Sequence, residues 1–396
     1  MQPLATFLAR VAPPQTPALV VRRAALAANI AAMQSACDSA QGGAGIRLRA
    51  HGKMHKCSKM ALAQVAAGAI GVCCQTVGEA ETYAAAGVRD VMLTAPVPPW
   101  GWPRLAALAR AGARVSAVID SPAQLGRAAA EAAGLHLFVD VDPGTHRAGV
   151  AHAEAPALAA AILATPGVEW GGIQAYAGHV QHIGGGAARI AANAAVTADL
   201  QALVAGLAAA GMAPPQVTGG GTGTYALDLA GGVFTEIQAG SYALMDVEYD
   251  ACGAPDGDWP FQPALFVAAT IVSARHRALR TCDAGLKAIH SDGPPPRVVA
   301  GAAPGSRWRS LGDEHGAILH PDFLGRLRDA PKGSDAIAAI DAEGGAAPDG
   351  SPAETALVWL QPGHVDPTVA LHDGFVVADE DGSFEIWPID ARRKTL

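Results

Sequence analysis

The chain has 396 residues, half of them hydrophobic by type and only 16% charged, with a formal net charge of −8. That length supplies a sizeable core, enough for one large domain with a smaller one or for two ordinary domains. An acidic balance with no basic run makes nucleic acid and anionic membranes poor candidate partners.

The first stretch, MQPLATFLARVAPPQTPALVV, has no basic start followed by a sustained apolar run, so no signal peptide is expected. No window is read as a charge-free apolar length of the kind a membrane span needs. Cysteines 37, 57, 73, 74, 252 and 282 are sparse and unpatterned. Reduced thiols and a cytoplasmic location are therefore expected.

TPALVV (16–21) reads as a strand that pairs with the second half of the chain. Eight further β-like runs follow: IRLRAH (46–51), IGVCCQ (70–75), VMLTA (91–95), VSAVI (115–119), LHLFVDV (135–141), GIQAY (172–176), PQVTGG (215–220) and TEIQAG (235–240). Between them lie stretches such as SKMALAQVAAGA and VGEAETYAAAG, rich in helix formers with apolar residues at helical spacing. Eight strands alternating with helices over about 220 residues suit a (β/α)8 TIM barrel, a member of the α/β class; a doubly wound open sheet gives a similar pattern. After residue 246 the texture turns to proline, glycine and short β-branched runs such as LFVAATIVSA, ALVWLQPG and FVVADEDGSFEIWPI, which reads as a mostly antiparallel β domain. The expected boundaries are 24–245 for the barrel, with 1–23 and 246–396 forming the β domain. No internal repeat is present, and 291–306 and 342–354 read as loops or hairpin connections.

In a barrel the chemistry sits where the strands end. Reading each strand to its end gives His51-Gly52-Lys53, then Gln75-Thr76, then Asp142 to Arg147 in VDPGTHRAGV. Tyr176, His179 and His182 follow in QAYAGHVQH, and then comes GGGTGTY (219–225). Each has an ordinary reading by itself: Lys53 as a solvated loop lysine, His179 and His182 as surface or capping residues. Their recurrence at five strand ends points to a ligand face. In GGGTGTY the glycines let backbone approach an anion, and Thr222 and Thr224 offer hydroxyls and amides at an expected helix start. No Gly-Lys-Ser/Thr follows, which disfavours a nucleoside triphosphate and leaves a monophosphate as the better fit. Alone, the loop reads as a tight strand-to-helix turn. A phosphate cradle, an early strand-end lysine and no nucleotide motif together point to pyridoxal 5′-phosphate. A lysine that forms a Schiff base must be deprotonated, and the neighbouring charge of Lys56 favours that form.

The segments TPALVV, RAHGKMHKC, GVCCQTVGEAE, QAYAGHVQH, GGGTGTY and TEIQAGSYALMD resemble, in order, the fold-type III pyridoxal-phosphate enzymes with their alanine racemase-like barrel. Within that class the resemblance is to the D-threonine aldolase / D-serine dehydratase group, over nearly the whole chain. It implies that Lys53 is the Schiff-base lysine, that Arg147 lies near the cofactor's phenolic oxygen and that Tyr176 sits beside the ring. It further implies a phosphate loop at Gly221, Thr222 and Gly223, with Gln75 and Tyr242 nearby. Pro143-Gly144 departs from the Asp-Val-Gly usual in that segment, which bears on the approach to Arg147.

In PGHVDPTVALHDG (362–374), His364 and Asp366 are two residues apart, so on an extended segment they face the same way. One imidazole and one carboxylate suit Mn²⁺, Zn²⁺ or Mg²⁺ with open positions for water and substrate. Alone this is a surface pair; the resemblance implies a divalent metal site, with Mn²⁺ favoured. It also distinguishes Asp366 from the cysteine typical of the dehydratase branch. His51 and His55 are weaker metal candidates. GDEHG (312–316) and DAGLK (283–287) are further family-like elements. Glu314 and His315 are candidates to frame the site, and Asp283 and Lys287 are given no catalytic role.

The implied activity is retro-aldol cleavage of D-3-hydroxy amino acids to glycine and an aldehyde, with His182 matching the family's base. Alternatives are a 3-hydroxyaspartate aldolase with Arg307 and Arg309 as carboxylate partners, and a dehydratase on D-serine or 3-hydroxyaspartate. A non-catalytic cofactor carrier and a racemase fit less well, since neither needs the H-x-D pair. The resemblance also implies a homodimer.

Overall fold

Each β-like run expected in the first part of the chain forms a strand in the computed structural model, which describes residues 1–327 and 335–392. After Ala18–Arg22 (β1) come Arg47–His51 (β2), Gly71–Cys74 (β3), Asp90–Leu93 (β4), Arg114–Ile119 (β5), His136–Val141 (β6), Glu169–Ala175 (β7), Val217–Gly219 (β8) and Glu236–Ile237 (β9). Strands β2 to β9 pair in parallel and in sequence, and β9 returns to β2, so the sheet is a closed barrel rather than an open one.

Alternation along the strands explains both faces. Val91 and Leu93, Ala117 and Ile119, and Leu137 and Val139 pack in the core beneath the outer helices. Their neighbours Met92, Val118 and Phe138 form a small separate apolar cluster. Gly171 is required beside it, because a Cβ there would lie 2.3 Å from the Phe138 ring.

The remaining alternate positions are polar and joined. Arg49 Nε lies 2.8 Å from Glu236 Oε1, and its Nη1 pairs with Asp90. Glu236 accepts the Thr218 hydroxyl, Gln238 donates to Thr218 and to Gln174, and Gln174 donates to Asp140 and to the Thr94 carbonyl. Without Glu236 the buried Arg49 would keep only Asp90, and its Nε would be left without a partner in low dielectric. Glu236→Ala is therefore expected to cost about 3–5 kcal/mol of unfolding free energy in a denaturant titration. A loss of less than about 0.5 kcal/mol, the range of surface substitutions, would contradict this role.

By its contacts the chain divides into two units. One comprises Asn29–Tyr242, Ala251–Pro260 and the segment from Asp390 onward; the other comprises Met1–Ala28, Ala243–Asp250 and Phe261–Ile389. Two short segments beyond residue 246 thus pack with the barrel, for local reasons. Arg189 donates to the carbonyls of Cys252 and Gly253. The Asp390 carboxylate accepts the Ser58 amide, capping the helix Ser58–Ala66, while the Ala391 amide donates to the Lys56 carbonyl. Arg189 belongs to the helix Gly186–Ala209, which is long and apolar enough to cross a membrane by length and composition, contrary to the sequence reading. In the barrel unit it buries Arg189, Asn193, Leu200, Leu203 and Leu207.

The second unit is built on β1, Leu265–Ser273 (β10), Leu279–Cys282 (β11), Arg297–Ala300 (β12), Arg307–Ser310 (β13), Gly316–Leu319 (β14), Leu357–Gln361 (β15), Gly374–Ala378 (β16) and Phe384–Pro388 (β17). They form one sheet in the order β11-β14-β13-β12-β15-β10-β1-β16-β17, and a further β10–β11 pairing curls part of it on itself. The pairing is antiparallel except between β1 and β16, where Val20 lies opposite Val376. The TPALVV strand thus belongs to this sheet, with Val20 also opposite Phe266 and both packed with Phe7, Leu8 and Trp359.

Candidate active site

Two histidines frame the turn after β2. His51 Nδ1 accepts the Lys53 amide at 3.3 Å, and its Nε2 faces Thr94 Oγ1 at 3.1 Å. His55 repeats the geometry: Nδ1 accepts the Cys57 amide at 3.0 Å and Nε2 faces Gln64 Oε1 at 3.2 Å. A ring nitrogen that accepts a backbone N–H carries no proton, so the network assigns both rings the neutral Nε2–H form. Burial, reinforced by the charges of Lys53 and Lys56, holds His51 well below the usual imidazole range. With both nitrogens engaged in each ring, neither histidine is placed as a metal ligand. Gly52 has no alternative in this turn, since Tyr83 donates its hydroxyl to the Gly52 carbonyl and its ring lies 2.6 Å from where a Cβ would be.

Lys53 is half-buried, with Nζ 6.0 Å from the centroid of the Tyr176 ring. The Arg147 guanidinium carbon lies 5.8 Å from the same centroid. Three strand ends, those of β2, β6 and β7, thereby converge on one aromatic ring. The Lys56 ammonium turns back onto the Lys53 carbonyl oxygen. The loop that delivers Arg147 is closed by Asp142, whose Oδ1 accepts the amides of Gly144, Thr145 and His146. Gly144 has φ +106°, a conformation that a side chain would strain, so the Pro-Gly departure builds a defined turn and Arg147 still reaches Tyr176. The Thr145 hydroxyl donates to the Tyr176 carbonyl and lies 3.2 Å from His179 Nδ1.

The Gly-rich loop is tied to Gln181. Gln181 Oε1 accepts the Gly223 amide at 2.9 Å, and its Nε2 donates to Thr224 Oγ1. A Cβ at Gly221 would lie 2.5 Å from Gln181 Oε1, and one at Gly223 would lie 2.0 Å from the Gln181 carbonyl. These glycines therefore serve close packing. Thr224 gives its hydroxyl to Asp228, so it turns into the barrel rather than toward a ligand; the helix that follows, Tyr225–Ala230, is short. Thr222 differs, because its Oγ1 accepts the Tyr242 amide at 3.0 Å, which orients its own proton elsewhere. That is the arrangement an anion needs from a hydroxyl.

Gln75 Oε1 accepts the Thr94 hydroxyl, placing it beside His51. The Tyr242 side chain is fully buried and its hydroxyl accepts from Gln64, so it faces the helix Ser58–Ala66. His182 is exposed and directly follows the buried Gln181.

In the β unit, His364 and Asp366 do meet, but through a helix start and not a strand. His364 is extended (φ −136°, ψ 123°) and the helix Val365–Val369 begins at the next residue. His364 Nε2 lies 3.8 Å from Asp366 Oδ2, and Nδ1 lies 3.2 Å from Asp292 Oδ2. An Nδ1–H donated to Asp292 leaves the Nε2 lone pair on the side of Asp366, as in carboxylate–histidine–metal arrangements. Buried Asp246 accepts the amides of Val365 and Tyr249, which fixes the turn. Among the described residues no group of three or more His, Cys, Asp or Glu is assembled to hold a metal, so His364 and Asp366 stand as a pair. Lys287 and Glu314 pair with each other on the surface.

Thr94, Gln64, Gln181, Asp246 and Asp292 escaped the sequence reading. Thr94 was legible as a polar residue ending a strand, and Gln64 as a polar residue on a buried helix face. Asp292 carries no local signal.

An eight-stranded parallel barrel with a lysine turn after its first strand, joined in one chain to a mostly antiparallel β unit, defines the fold-type III pyridoxal-phosphate class. A family profile described as "Alanine racemase, N-terminal domain" matches residues 21–247, and one described as "Putative serine dehydratase domain" matches 264–378. The chain is 38% identical to a D-threonine aldolase of Arthrobacter sp., covering 97% of this chain and 94% of that one. It is 35% identical to a 3-hydroxy-D-aspartate aldolase of Paracoccus denitrificans, covering 96% and 92%. The crystal structure of D-threonine aldolase from Filomicrobium marinum superposes with a TM-score of 0.84 at 32% identity, over 96% of each chain. This protein belongs to the D-threonine aldolase / D-serine dehydratase-like family of that class.

Proposed function

We propose that the protein is a pyridoxal-phosphate- and divalent-metal-dependent aldolase that cleaves D-3-hydroxy amino acids of the D-threonine type to glycine and an aldehyde. The observation that carries this reading is the convergence of Lys53 and Arg147 on the Tyr176 ring, in a chain of this family. The donor set fits the cofactor: an amine on a rigid turn, a guanidinium for an anionic oxygen, and the oriented Thr222 hydroxyl for a phosphate. Gln75, Tyr176, Gly221, Gly223 and the Tyr242 main chain complete the surroundings. Bound pyridoxal phosphate supplies an electron sink for the pair released when Cα–Cβ breaks.

Lys53 would hold the cofactor, with its amine as the group that bonds to it. Its turn, anchored by His51, keeps the amine at the strand end. His182 accepts the proton of the substrate hydroxyl as general base. His364 and Asp366 would hold the divalent cation, Mn²⁺ by preference and Mg²⁺ or Zn²⁺ otherwise, which would supply Lewis acidity. Asp292 orients His364. The same resemblance supports a homodimer, and the six unpaired cysteines support a reducing, cytoplasmic location.

A second reading is favoured by one observation. A cleft of about 870 Å³ in the β unit is lined by Arg297, Arg307 and Arg309, the first two directly opposite each other across β12 and β13. Arg297 pairs with Asp250, so Arg307 and Arg309 are the guanidinium groups that suit a substrate with a second carboxylate, as in 3-hydroxyaspartate. Incubation with D-threonine, D-3-hydroxyaspartate and D-serine tests both readings. Glycine without ammonia is the expected product, and the better of the first two substrates separates the two aldolases. Ammonia and a keto acid in place of glycine would make the protein a dehydratase.

A further inference from the structure

The hydrogen bonds around His55 continue beyond the lysine turn. His55 Nε2 donates to Gln64 Oε1 at 3.2 Å, and Gln64 Nε2 donates to the Tyr242 hydroxyl at 3.1 Å. The Tyr242 amide then donates to Thr222 Oγ1 at 3.0 Å. With the Cys57 amide on His55 Nδ1, the side-chain links all donate in one direction, so a neutral His55 admits one proton order. His55, Gln64 and Tyr242 are fully buried and Thr222 is 2% exposed, so water does not compete for these links. The chain begins in the turn that carries Lys53 and ends on the Thr222 hydroxyl, whose own proton is directed away from the Tyr242 amide.

We infer that His55, Gln64 and Tyr242 are positioning residues that couple the Gly-rich loop to the lysine turn, so that a phosphate seated at Thr222 also orders Lys53. This rests on the cofactor reading above. A phosphate pulling on the Thr222 hydroxyl polarises and tightens the Tyr242 amide bond. Tyr242 is then held more firmly against Gln64, and Gln64 against His55. The coupling depends on the phosphate group and not on the pyridoxal ring.

The first test uses the unaltered protein. Inorganic phosphate added to the cofactor-free chain should slow hydrogen exchange at the Thr222 loop and also at the Lys53 and Cys57 amides. Protection confined to the loop would overturn the coupling. The second uses Tyr242→Phe and Gln64→Met, which both cut the Gln64–Tyr242 bond while nearly preserving shape; Gln64→Met also removes the bond to His55. Each should weaken pyridoxal phosphate binding about fivefold and leave pyridoxal, which lacks the phosphate, within about twofold. The double variant should be no weaker than Gln64→Met alone, because that substitution already removes both bonds of the Gln64 side chain, the one to Tyr242 included. Equal losses for the two ligands, or additive losses in the double variant, would reduce these residues to general packing. If the unaltered protein binds no pyridoxal phosphate, the cofactor reading itself fails, an outcome distinct from either of these.

Discussion

Lys53→Ala should abolish the visible absorbance of lysine-bound cofactor and lower turnover by on the order of 10³-fold or more. The structure makes this substitution informative. The turn is anchored through the Lys53 amide on His51 and the Tyr83 hydroxyl on the Gly52 carbonyl, and neither bond involves the lysine side chain. Removing that side chain therefore leaves the fold within about 0.5 kcal/mol of its original stability. Non-covalent retention of the cofactor is also expected, since the Thr222 loop and Arg147 are unchanged. Lys53→Arg should behave like the alanine variant, because a guanidinium keeps the charge but cannot lose its proton to become a nucleophile. Lys56→Met provides the contrast. That ammonium caps the Lys53 carbonyl, and its loss should leave the chromophore in place. A Lys53→Ala protein with the full chromophore would transfer the covalent role to another residue.

The second large effect is expected at His364 and Asp366, the pair proposed to hold the metal. Asp366→Ala should lower turnover by about 10³-fold and resist rescue, because half of the protein's ligand set is gone. Asp292→Ala should weaken Mn²⁺ binding by about 10–100-fold, and excess Mn²⁺ should restore its turnover. The difference follows from position. Asp366 faces His364 Nε2, the nitrogen available to a cation, whereas Asp292 faces Nδ1 and only fixes the ring. Calorimetric titration of Mn²⁺ into each variant separates affinity from turnover. Indifference of the unaltered enzyme to prolonged EDTA would contradict the metal role.

The two histidines of RAHGKMHKC show where reading residues one by one reaches its limit. As residue types they suggest ligands or bases. In the folded chain each accepts a backbone amide two residues on and donates to a buried partner on another element. His364 and Asp366 show the converse. Their spacing predicted that they would meet, and they do, although a helix start brings them together where an extended segment was expected.

By itself the sequence determined the alternation of strands and helices, the change of texture after residue 246, and the strand ends at which polar residues collect. Those features follow from local periodicity and from residue chemistry, which a linear pattern carries. Closure of the sheet into a barrel, the Arg49–Glu236 pair inside it, the convergence of Lys53 and Arg147 on Tyr176, and the links from His55 to Thr222 were decided only in three dimensions. The same holds for Asp292, 72 residues from the histidine it faces. In each case the partners are distant in sequence, and for Arg49–Glu236 and the links from His55 to Thr222 burial determines which polar groups must find one another. A lost hydrogen bond or unpaired charge is costly only where water is absent, and the tertiary structure determines where that is.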